Sequence, residues 1–333
     1  MQSVETSTMP HYQQNQILIS DMQSIVESDV QSNIPIVSAS VQNSFFDPID
    51  RQVKLQQSNI HLFRQQLCEF FSQHLDQKLV YQAKTDDRCC YYFLKARSMS
   101  VDKAVKMFKE ALLYRESHDL DNILLKPFQL FDQLSRTSNQ GYHKFDRYGR
   151  PVYIELVGLH NVNEMEKECT VDERIHYHLL KMEYQQQILL QEASVRFGRS
   201  IGQVVLIMDM TGIRRSIATK YFFNFVTSVM KLNTLLDPES LAHVFLINAP
   251  SFFKILYAMV SNLLDSQTRN KIHIHKDSAI QELTKYIKID DLPIFLGGKC
   301  RCNPNESDSR KSCLRYSPQS KQLNDIVSKA NAT

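Results

Sequence analysis

Glycine is scarce in this 333-residue sequence, at eight residues. Neither G-x-G-x-x-G nor G-x-x-x-x-G-K-S/T occurs, so little material exists for a backbone cradle around nucleotide phosphates. A G-x-S-x-G nucleophile elbow is also missing, which removes the elbow type of α/β hydrolase. No apolar run reaches the roughly 18 residues that read as a membrane-spanning helix. The first fifty residues contain no Lys or Arg, which argues against a secretory signal and an arginine-rich transit peptide. Seven cysteines, odd in number and scattered, point to reduced thiols and a cytoplasmic protein. The pairs His176/His178, His273/His275 and Cys300/Cys302 have no neighbouring C-x-x-C or third ligand to complete a tetrahedron, so no metal is expected. Asp209 follows an apolar run, where α/β enzymes often place an acid, and a capping role before Thr211-Gly212 explains it equally well. Nothing demands a catalytic residue, and a non-enzyme is expected.

The chain does have apolar side chains, at 43%, enough for two domains or one large domain with appendages. Charge is unevenly spread. Residues 1–50 hold six acids and no Lys or Arg, leaving 39 bases against 30 acids, a net +9, in residues 51–333. A basic body favours anionic partners such as phosphate groups or acidic membrane surfaces. The Gln-, Ser- and Asn-rich stretch 1–50 offers too little apolar surface to offset ordering entropy and reads as a disordered acidic tail. The polar stretch 301–333 reads as a flexible tail.

Between them, Ile60, Phe63, Leu67, Phe70, Phe71 and Leu75 recur at helical spacing over 54–80, as do Cys90, Phe93 and Leu94 over 87–97. Residues 101–115 carry a further apolar stripe with Ser100 as candidate N-cap. Residues 51–130 thus read as a helical subdomain. From 131 to 300 the pattern changes. Tyr142–Phe145 and Val152–Val157 flank the turn DRYGRP, with Gly149 supplying backbone freedom and Pro151 starting the second strand. Thr170 to Glu173 spells a capping box that opens a helix to about Phe197. The runs VVLIM (204–208), HVFLIN (243–248) and IHIH (272–275) read as buried strands with a helix over 217–236 between the first two. Strands alternating with helices predict an α/β lobe with a mostly parallel sheet. Residues 251–264, SFFKILYAMVSNLL, are apolar nearly all round, so this helix is buried on every side or borders an apolar cavity or membrane interface.

Six segments, taken in order, resemble the CRAL-TRIO family and within it the phosphatidylinositol transfer proteins. They are FLKAR with SVDKAVKMFKEALLYRE, DRYGRPVYIE, VVLIMDMTGI, LDPESLAHVFLINAPSFFKIL, LLDSQTRNKIHI and LTKYIKIDDLPIFLGGKC, spread over about residues 60–300. The resemblance implies a helical subdomain on an α/β lipid-binding lobe, with 251–264 as a mobile gate carrying Phe252, Phe253, Leu256, Met259 and Leu263. It implies headgroup contacts from Arg97, Asp146, Glu239, Thr268 and Lys271. Arg97 offers a planar fork and Lys271 a point charge to phosphate, while the acids accept from hydroxyls and balance the cations. Ser98 stands where this branch usually has a Lys that pairs with the acid. Tyr142 and Tyr153 match two tyrosines that hold choline in some members, but Val204 and Leu206 occupy the accompanying hydroxyl positions.

The expectation is a cytoplasmic, peripherally membrane-associated carrier with no cofactor and no nucleic-acid partner. Its ligand would be a phospholipid, foremost phosphatidylinositol, and it could present that lipid to a lipid kinase. The alternatives are a carrier of a sterol, tocopherol or retinoid, and a regulatory scaffold without transfer activity.

Overall fold

The computed structural model describes residues 48–73, 86–261, 264 and 266–332; the acidic stretch 1–47 lies outside them. Helices α1 (Pro48–Leu55), α2 (Gln57–Gln73), α3 (Asp87–Ala96) and α4 (Val101–Ser117) open the fold. The apolar stripe read from the sequence is the one they bury, with Ile60, Phe63, Leu67, Cys90, Leu94 and Leu112 all essentially inaccessible. Leu75, and the expected continuation of α2 to residue 80, lie outside the described residues. Asp86 caps α3 by accepting from Cys89 N, whereas Ser100 precedes α4 without a side-chain cap bond. This unit has no core of its own. Its apolar residues form one cluster with Tyr142, Tyr177, Leu180 and Tyr184 of the following lobe.

After α5 (Phe131–Thr137) come β1 (Gln140–Phe145), β2 (Pro151–Glu155), α6 (Val162–Glu168) and α7 (Val171–Tyr184). The Thr170/Glu173 capping box forms in full at the start of α7. The expected single helix to Phe197 is interrupted by a π-turn at Gln185–Leu189 before α8 (Leu190–Phe197), which ends on left-handed Gly198. Then follow β3 (Val204–Asp209), α9 (Lys220–Leu236), β4 (Leu241–Ile247), α10 (Phe253–Ser261), α11 (Ser266–Asn270), β5 (Ile272–Ile274) and α12 (Ile280–Tyr286). Strand order is β1-β2-β3-β4-β5, with β1 antiparallel and the other pairs parallel. Sequential order with right-handed crossovers puts the connecting helices on one face. Leu206, Met208, Val244, Leu246 and Ile272 point to that face, with Phe253 and Leu256 of α10 against them. Val152, Ile154, Val205, Ile207, Phe245 and Ile247 point to the other, which the chain after β5 covers with Leu283, Leu292, Leu296 and Leu314.

The segment 301–333 differs from the flexible tail expected. It forms α13 (Ser309–Tyr316) and α14 (Pro318–Ala332). Leu314 joins the core of one sheet face, and Leu323 and Val327 join the cluster shared with α1–α4. The helices cross edge strand β1 so closely that a Cβ on Gly141 would sit 2.2 Å from the Leu314 carbonyl oxygen. Ser317 Oγ donates to Tyr142 O at 2.5 Å and Tyr184 Oη to Gln319 O at 2.9 Å. A polar composition concealed an apolar stripe at helical spacing.

Candidate functional site

The headgroup candidates fall into two places. Glu239 occupies the turn between α9 and β4 with a left-handed backbone (φ 64°) rather than the first turn of a helix. Its side chain is 3% exposed, and its Oε2 accepts from Lys271 Nζ at 2.8 Å and from Lys95 Nζ at 2.7 Å. Lys95, in the last turn of α3, was not picked out from the sequence. It supplies the cation that Ser98 does not, from three residues earlier, and the K of FLKAR was the signal available. Arg97 lies two residues on at the end of α3, half-buried, and donates to Ala96 O at 3.0 Å. Among the described residues it has no carboxylate partner. Thr268 and Lys271 are joined through Lys271 N donating to Thr268 O at 3.1 Å. Two lysines on one buried carboxylate leave an excess of positive charge, the condition for holding an anion.

Asp146 sits elsewhere and is buried. Its Oδ1 accepts from Tyr148 N and Arg150 N, both at 2.8 Å, closing the DRYGRP turn. Its Oδ2 faces Arg150 at 3.7 Å and has no hydrogen-bond partner among the described residues. Burial raises its pKa, against the pull of those bonds and of Arg150. His243 is pushed down to about 4 by burial and then by Arg150, His273 and Lys271, with Glu282 opposing. Asp209 likewise builds its loop, accepting from Thr211 and Asn248.

The helix-bearing sheet face adjoins this cluster. Helix α9, KYFFNFVTSVMKLNTLL, is apolar over most of its length, yet only Tyr221 and Leu236 are buried. Helix α10 has no buried residue. Phe253 and Leu256 of this helix, and Phe252 just before it, are half-buried, while Ile255 and Met259 are 66% and 56% exposed; Leu263 lies outside the described residues. Of the two readings open for this helix, burial on every side is not found. The sequence makes an apolar face, and the chain covers it incompletely.

The two candidate choline tyrosines are neighbours, with ring centroids 4.8 Å apart. A lysine already stands among them. Lys181 Nζ donates to Tyr153 Oη at 2.8 Å and lies 4.4 Å from the Tyr177 ring centroid and 5.4 Å from that of Tyr153. Tyr142 Oη donates to Lys181 O at 3.0 Å. Burial drops the Lys181 pKa to about 7, with Glu155 opposing and Arg174 adding to the fall. Of the paired histidines, His178 bonds Asn233, and His273 meets His243 at 3.4 Å. Cys300 and Cys302 do acquire the further ligands that were not expected. Folding brings His143 of β1 and Cys313 of α13 to them, all four ligand atoms lying within 4.8 Å of one another.

Comparison with known proteins places this geometry. The CRAL/TRIO domain family matches residues 135–298. The phosphatidylinositol/phosphatidylcholine transfer protein SFH12 of Arabidopsis thaliana is 32% identical over 64% of this chain and 39% of its own length. The Sec14 cytosolic factor of Schizosaccharomyces pombe is 30% identical over 73% of this chain and 85% of its own. The chain spans well under two thirds of the plant relatives, 56% in the case of SFH11. The crystal structure of Sfh5 shares the fold, with TM-score 0.55 and 18% identity, over 85% of this chain and 98% of that one. Among the described residues, no helix is long and apolar enough to cross a membrane.

Proposed function

The chain belongs to the CRAL-TRIO family, and from that premise we propose that it binds and exchanges phospholipids with anionic headgroups, phosphatidylinositol first among them. The carrying observation is the incompletely covered apolar face of α9 and α10 beside the Lys95–Glu239–Lys271 cluster. Acyl chains laid on that face leave water at about 0.8 kcal/mol per methylene, close to what they lose on leaving the bilayer, so exchange is nearly neutral. Arg97, Lys95, Lys271 and Thr268 take the phosphate, Glu239 holds the two lysines in place, and an inositol hydroxyl can donate to it. Exposed Ile255 and Met259 on α10, with exposed Lys254 on the same helix and exposed Arg215 5.6 Å from the Phe252 ring centroid, suit an anionic leaflet. Lipid delivered this way would be available to a lipid kinase. Choline lipids fit less well, because Lys181 already faces the aromatic rings that would receive a second cation.

The test is transfer of labelled phosphatidylinositol between vesicles by the full chain. Lys271→Ala and Thr268→Asp are expected to lower the rate at least tenfold with unchanged circular dichroism. Failure of the unaltered protein to transfer or retain phosphatidylinositol overturns the reading.

A further inference from the structure

We propose that His143, Cys300, Cys302 and Cys313 form a closed binding site for one zinc ion, which fastens the C-terminal segment to the sheet. A tetrahedral zinc with Zn–S of about 2.3 Å and Zn–N of about 2.0 Å has S···S edges of about 3.8 Å and S···N edges of about 3.5 Å. Cys300 Sγ and Cys302 Sγ are 3.8 Å apart, and Cys302 Sγ is 3.7 Å from His143 Nδ1. All four ligand atoms lie within 4.8 Å of one another. A disulfide would need about 2.05 Å, so the cysteines are disposed as ligands around a common point rather than as a bridge.

The surroundings fit the same assignment. His143 Nε2 faces the Asp291 carbonyl oxygen at 3.0 Å. A proton held there leaves the Nδ1 lone pair for metal, the usual outer partner of a ligating imidazole. The ring is aimed by an irregularity in the β1–β2 register between Tyr142 and Phe145, where Lys144 has a φ of 52°. His143, Cys300 and Cys313 are buried and Cys302 is half-buried. Three thiolates and an imidazole select zinc over magnesium, calcium or manganese, and four protein ligands leave no open position, which marks a structural rather than catalytic ion. Ligands from β1, the segment between α12 and α13, and α13 itself tie parts that are distant in sequence, so binding energy becomes folding energy. The inference is independent of which lipid the protein carries.

Element analysis of the full chain, purified under reducing conditions without added chelator, is expected to give one zinc per chain. Cobalt reloading should produce thiolate-to-metal charge-transfer absorption and tetrahedral d–d bands. Cys302→Ser and Cys313→Ser should lose the metal, and a strong chelator should lower the Tm of the unaltered protein. Cys68→Ser, at an exposed thiol outside the cluster, should keep both metal and spectrum. Because the cobalt spectrum is read on the unaltered chain, it stands even if a cysteine variant misfolds. No stoichiometric zinc and no cobalt–thiolate spectrum, or a disulfide among the three cysteines of the reduced protein, overturns the proposal.

Discussion

The two faces of the sheet are made from the same five strands and treated oppositely. On the face covered by α12 and α13, Ile154, Val205, Ile207, Phe245, Ile247, Leu283 and Leu292 are inaccessible. On the other face Val244 and Leu246 are buried, but Leu206, Met208 and Ile272 are half-buried, α9 buries two residues and α10 none. Strand alternation supplies apolar residues to both sides, so hydrophobicity alone does not separate them. What differs is whether the chain brings enough side chains to fill the layer. A core completed by the chain stabilises; a face left incompletely covered can accept an apolar guest.

The largest effect should come from emptying the filled side. Phe245→Ala is expected to cost about 3–5 kcal/mol, read as a lower midpoint in chemical denaturation. Phe222→Ala in half-buried α9 should cost under about 1.5 kcal/mol while slowing lipid transfer. Equal costs would erase the distinction between the faces. A second probe is the buried cation on the open side. The Lys181 pKa is depressed to about 7 from an ordinary 10.5. Between those values the unfolded chain holds a proton that the native chain does not, so this residue's contribution to stability rises with pH across that window, by at most about 1.4 kcal/mol per unit. Lys181→Met should be more stable than the unaltered protein at pH 7 by about 1–3 kcal/mol, and the gap should close as pH approaches 10. An unchanging gap would mean that burial does not oppose its charge. The smallest effect on stability should come from Ile255→Asn with Met259→Asn, within about 0.5 kcal/mol, although uptake of lipid from anionic vesicles should slow.

Local patterns carried much of this fold. The Thr170 capping box, the parallel apolar runs and the turn at Gly149 each depend on neighbours a few residues away. Glu239 and Lys271 could be paired only through the family resemblance, and Lys95 was passed over because three residues separate it from the position where a partner was sought. The stripe Leu323, Ile326, Val327 and Ala330 was readable at helical spacing but lay in a stretch dominated by polar residues. His143 and Cys313 are brought together across most of the α/β lobe, and no local spacing encodes that meeting. The pattern of α10 left its cover undecided, because an all-round apolar helix looks the same whether the protein or something else lies against it.

The run of α13 and α14 across β1 bears on where this protein could be cut. The family match stops at residue 298, yet the outer edge of β1 is sheltered by residues 309–332, which also reach Phe128 through Asn331. A fragment trimmed to that boundary would present an unprotected strand to solvent, open to edge-to-edge pairing with another copy. The last two helices therefore cover the strand edge through which another copy could pair.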